Sequence, residues 1–288
     1  MRSKSQNKNL INIFAWFKKQ EITYKITFIL TSIIIISLFV AAITNWINQT
    51  KDINNAFLNL KLETKNDLLS EKNAILLPQM IARFWFNTAT FTYLSNTFVV
   101  VALIMFLIFN KNILIKQMLF MSNQFITITL IVFWILIFPD SLKNGKYQDI
   151  GLLSSILVHL INPLLSLIIL FINKKNMQIN QKQIWLATIP VLLFYFFALI
   201  TFFIALDTKN LLEINMQVNI NLFKHLNLYI YSFLNFAQPL FYSGSNLALI
   251  IFLNILIVIV FFFFIVAIGY FWKWVFKISY KTQKFKNI

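Results

Sequence analysis

A single histidine stands inside a run of residues apolar enough to cross a membrane. His159 shares a helical stripe with Ser155, Asn162 and Ser166, at intervals of four, three and four residues. Pro163 has no N–H, so it leaves the His159 carbonyl without its helical donor and should kink the helix there. A second apolar run holds FTYLSN at Phe91–Asn96, where Thr88, Thr92, Ser95 and Asn96 form a matching stripe. Imidazole and hydroxyl together suit acyl transfer. A neutral His takes the proton of an otherwise weak Thr nucleophile and returns it to the leaving alcohol. His159 is the only group within the apolar runs that titrates near neutral pH. The structural alternative is plain: Thr bonds back to a carbonyl one turn earlier, and His and Asn tie helices together.

The elements that must position these residues follow from composition. Of 288 residues, 59% are hydrophobic and 12% charged, with mean hydropathy +0.74. A soluble domain is nearer half apolar and a quarter charged. Six uncharged apolar runs can be marked: Ile26–Trp46, Phe84–Asn110, Gln117–Phe138, Ile150–Ile172, Ile184–Ala205 and Leu247–Trp272. Each is about the 20 residues a membrane helix needs, and none alternates as barrel strands do. The expected fold is all-α and polytopic, with six transmembrane helices. The first run follows a basic stretch but lacks a small-residue cleavage site, so it reads as a retained anchor. The chain has no cysteine, which excludes thiolate chemistry, disulfides and Cys-based metal sites.

Charge orients the bundle. Arg2, Lys4, Lys8, Lys18, Lys19 and Lys25 precede the first run. Lys111, Lys116, Lys174, Lys175 and Lys182 follow the second and fourth, and five more lysines lie between Lys273 and Lys286. Glu21 is the only acid on that side. The positive-inside rule then puts both termini in the cytoplasm. The same clustering beside spans accounts for the net charge of +16 by anionic lipid rather than nucleic acid. The expected organisation is a basic segment 1–25, a six-helix domain 26–276 with outer loops 47–83 and 206–246, and a basic tail 277–288. The first loop should be partly helical, and the second, with its LNLYIYSFLNF stretch, should rest on the outer interface. His225 falls in that second loop and reads as a surface residue.

Both polar stripes lie on spans that run inward. Thr92 and His159 sit eight and nine residues from the outer span ends, a depth of roughly 12–14 Å at about 1.5 Å per residue. An imidazole and a hydroxyl would then stand at one level. Ser95, Asn96 and Asn162 are the candidate contacts for an oxyanion or substrate. No metal or cofactor is expected.

At these two places the chain resembles a known family. FTYLSNTFVV at Phe91–Val100 and LVHLINPLLSLIILF at Leu157–Phe171 are similar to the paired signatures of the androgen-induced intramembrane threonine hydrolases. Bacterial membrane proteins of unassigned function, mycoplasma ones among them, share similar signatures. The resemblance spans about the second to the fourth run, and Leu94 stands where Gln is common in the bacterial pattern. It implies a Thr nucleophile at Thr92, a His base at His159 and a lipid-ester substrate. The function expected is therefore an intramembrane lipid-ester hydrolase of the cell membrane, with its site in the outer half of the bilayer. The rival expectation is a non-catalytic lipid-binding or helix-packing subunit; a transporter is disfavoured by the lack of charge in the runs and of visible repeats.

Overall fold

The computed structural model describes residues 17–143, 150–216, 226 and 228–280. Most of the basic N-terminal segment, most of the tail and His225 lie outside these residues. The described chain is almost entirely helical, and six helices are long and apolar enough to span a membrane. They are α1 (Ile22–Leu58), α2 (Phe91–Phe109), α3 (Ile113–Ile137), α4 (Gly151–Ile172), α5 (Gln181–Glu213) and α6 (Leu247–Phe276). The chain is an all-α, multi-pass membrane protein.

Helix α2 lies along α3, α1 packs against α2 and α4, and α3 also meets α4. Helix α6 packs on both α3 and α5. Ile34, Val99, Leu103, Phe120, Leu170 and Ile265 are buried between these helices. On α5 and α6 large apolar side chains such as Phe197, Ile204, Phe252 and Phe263 remain exposed, as suits a surface solvated by lipid tails. Gly269 lets α6 approach α3 closely. A Cβ there would stand 2.6 Å from Ile184 Cγ2 and would also strike the Gln124 amide.

Three departures from the apolar runs position the site. Helix α1 continues well past Trp46 to Leu58, and two short helices follow, Leu62–Leu68 and Met80–Thr88. The Trp46 indole donates to the Met80 carbonyl (2.9 Å), and the Gln49 amide donates to Asn87 Oδ1 (2.7 Å), so Met80–Thr88 is held against α1. The second run is not one helix. It breaks at Ala89–Thr90, and α2 starts at Phe91 after Thr90 adopts an extended conformation. Finally, α3 and α4 each contain a widened π turn, Phe133–Ile137 and Leu157–Ile161. The cause is the same in both. Phe138 and Asn162, each one residue before a proline, donate to the carbonyl five residues back. The kink expected at Pro163 is thus a π turn that holds His159.

The described stretch 228–236 of the loop expected to rest on the outer interface instead packs into the bundle. Leu228, Phe233, Leu234 and Phe236 are buried against Ala198 and Phe202 of α5 and Ile257 of α6. Its apolar and aromatic content is large enough to make a second core there rather than a surface film. At the other end, Gln178–Ile179 pairs in parallel with Ser279–Tyr280, joining the segment after α4 to the chain after α6.

Candidate active site

Thr92 is the second residue of α2, and that position explains its bonding. Most helical threonines here bond back one turn: Thr27, Thr31, Thr50, Thr88 and Thr127 each donate to the carbonyl four residues earlier. Thr92 has no helical turn before it, because the break at Ala89–Thr90 removes one. Its hydroxyl lies 3.3 Å from the phenol of Tyr231. Its amide, one of the orphan donors at a helix start, donates to the same phenol oxygen at 3.2 Å. Tyr231 belongs to the packed outer loop and caps α2 from outside.

His159 sits in the π turn of α4 and is buried. Phe133, from the π turn of α3, stacks on the imidazole with ring centres 3.7 Å apart and planes 8° from parallel. The ring also meets the backbone of Thr129, whereas Nδ1 is buried without a hydrogen-bond partner. The carbonyl that Pro163 frees is filled: the Trp134 indole donates to it at 3.2 Å. Among the described residues no carboxylate orients the ring. A stacked phenylalanine and a backbone carbonyl do so instead.

Thr92 and His159 line one cavity of about 170 Å³, together with Asn45, Asn87, Ser155 and Tyr231. The structure therefore puts α2 and α4 side by side and the two residues at one level. No described hydrogen bond joins them directly. Asn87 also lines this cavity; its Oδ1 accepts from Gln49, and its buried Nδ2 has no partner. A smaller, almost wholly apolar cavity of about 60 Å³ also touches Thr92, Phe133, Ile137 and Tyr231. Phe91, Val191, Phe194 and Phe261 form part of its remaining wall.

The other expected site residues are tied up between helices. Asn96 Nδ2 donates to the Thr92 carbonyl (2.8 Å) and to the Val158 carbonyl of α4 (3.1 Å). Asn162 Nδ2 donates to Asn96 Oδ1 at 2.9 Å. Ser95 Oγ donates to the Thr92 carbonyl at 2.9 Å and meets Thr129 Oγ1 at 2.7 Å. None of the three lines the cavity. Ser166 likewise bonds to Asn123 Oδ1 of α3. The polar side chains that do line the cavity with Thr92 include Tyr231 and Asn87, which the sequence reading did not single out. For Tyr231 the one signal was the density of aromatics in LNLYIYSFLNF.

The fold and site together define a polytopic helical membrane protein with a hydroxyl and an imidazole sharing a buried polar cavity. Comparison of the chain with family models, with curated proteins and with solved structures finds no match in any of the three.

Proposed function

We propose that this protein is an intramembrane lipid-ester hydrolase, with Thr92 as nucleophile and His159 as general base. The observation that carries the reading is the shared cavity, which Thr92 and His159 line together, with the buried His159 Nδ1 left without a hydrogen-bond partner. Thr92 Oγ attacks the ester carbonyl carbon as Nδ1 takes its proton. The tetrahedral intermediate then collapses with cleavage of the C–O bond, and the imidazolium returns the proton to the departing alkoxide. Water, activated by the same nitrogen, cleaves the acyl-threonine and releases the acid. One ester and one water become one alcohol and one acid. Tyr231 and Asn87 Nδ2 take the oxyanion role that Asn96 and Asn162 are not free to fill; such a donor is worth about 2.7–4 kcal/mol in other acyl-transfer sites. The apolar cavity beside Thr92 gives the acyl end a dry wall.

With both termini cytoplasmic, the site opens toward the outer half of the cell membrane, where lipid esters and water both have access. The test is turnover of a panel of long-chain acyl esters by purified protein, against Thr92→Ala and His159→Ala. Both variants should lose hydrolysis while unfolding near the wild-type temperature. Wild-type rates in either would end the proposal.

A second reading rests on the bond that Thr92 does make. Its hydroxyl meets Tyr231, and the polar stripes of α2 and α4 are largely spent on each other. In that reading the cavity holds the polar group of a lipid without turning it over. A protein that binds an acyl ester and returns it unchanged would favour it.

A further inference from the structure

The opposite end of the bundle holds a larger cavity, about 330 Å³, that the catalytic reading does not use. It lies between the start of α1, the end of α2, the start of α3 and the end of α4. Lys111 and Lys116 both line it, as do Asn110 and Asn176. Among the described residues neither lysine is paired with a carboxylate; the ion pair seen is Lys209–Glu213, elsewhere. The single acid of the cavity, Glu21, accepts only a long bond from Thr23 Oγ1, at 3.4 Å. Two unpaired ammonium groups and two amides at the end of the spans make a recess for an anion with several acceptor oxygens. Phe106 and Leu107 give the cavity an apolar wall, and their near neighbours in sequence, Ile108 at the end of α2 and Leu114 at the start of α3, are exposed where acyl chains would run.

We propose that this cavity binds a phosphate group, and that its source is an anionic phospholipid of the leaflet facing the basic loops. Cationic recesses between helices on that side draw such headgroups, and the adjacent apolar wall favours a lipid over free phosphate. The proposal is independent of the hydrolase reading.

Native mass spectrometry of the full-length protein provides the test, with phosphatidylglycerol, phosphatidylcholine or inorganic phosphate added. Wild type should retain phosphatidylglycerol over phosphatidylcholine. The Lys111→Gln/Lys116→Gln protein should lose that retention roughly 10-fold or more. Lys51→Gln/Lys61→Gln, at the other end of the bundle, should retain it as wild type does. Equal retention by wild type and Lys111→Gln/Lys116→Gln would overturn the proposal. Inorganic phosphate that binds alone and displaces the lipid at equal concentration would overturn the lipid as source.

Discussion

Tyr231 accepts a hydrogen bond from the Thr92 amide at 3.2 Å, and its phenol lies 3.3 Å from the Thr92 hydroxyl, across 139 residues of chain. This contact replaces the local back-bond that a threonine normally makes in a membrane helix. It leaves the Thr92 hydroxyl facing a cavity rather than its own backbone. Burial raises the pKa of the Tyr231 phenol above its ordinary value, with its hydrogen bonds to Thr92 working the other way.

Tyr231→Phe is expected to lower kcat for ester hydrolysis by about 10²–10³-fold, the loss seen when one oxyanion donor is removed. The sign of the pH effect follows from the raised pKa. The neutral phenol is favoured in the fold, so its contribution is fully present below the unfolded tyrosine value of about 10 and declines as pH rises beyond it. Rate–pH and unfolding–pH profiles of the two proteins should therefore run parallel below about pH 10 and converge above it. Unchanged turnover in the variant would remove the phenol from the chemistry.

Trp134 holds the carbonyl that Pro163 strips of its helical donor. Trp134→Phe keeps an aromatic ring but leaves that buried acceptor unpaired, which costs about 1–3 kcal/mol. Thermal unfolding in detergent checks this. Trp185→Phe is the control, because the Trp185 indole bonds to Tyr270 at an exposed position. Equal unfolding temperatures for the two variants would contradict the role given to Trp134.

Asn96 and Thr92 should separate scaffold from chemistry. Asn96→Ala breaks the bond to Val158 of α4 and strips Asn162 of its acceptor, a loss of about 1–2 kcal/mol for such interhelical bonds. Thr92→Val should cost less stability yet abolish hydrolysis, whereas Thr92→Ser should keep part of it. Paired unfolding and turnover measurements decide the matter. A Thr92→Val protein that still hydrolyses ester would show that the hydroxyl is not the nucleophile.

Gly269 permits the approach of α6 to α3. Gly269→Ala puts a methyl against Ile184 and the Gln124 amide, whose Nε2 donates to the Ile265 carbonyl at 3.1 Å. Overpacking of this kind costs about 1–3 kcal/mol, read as a lower unfolding temperature. Wild-type stability in the variant would mean that α6 can shift to make room.

The membrane spans were legible because hydrocarbon solvent demands long uncharged helices, and six such runs stand out. The kink at Pro163 was legible because a missing N–H is a local property. Its form was not: whether a helix bends or widens into a π turn depends on neighbours such as Trp134, which fills the freed carbonyl. The break at Ala89–Thr90 carries no proline or glycine. It arises from tertiary bonds, Trp46 to Met80 and Gln49 to Asn87, that no local pattern records. The same limit hid Tyr231 and assigned Asn96 and Asn162 to a site they do not line. A polar stripe shows which residues share a face, but not which of them the neighbouring helix consumes.

The most direct measurement of the central claim is covalent labelling in membranes with a lipophilic fluorophosphonate, followed by peptide mapping of the modified residue. Wild type should carry the label on Thr92, and Thr92→Ala and His159→Ala should both lose it at matched expression. A folded wild type that takes no label, or a label on another residue that persists in Thr92→Ala, would contradict an activated threonine at this site.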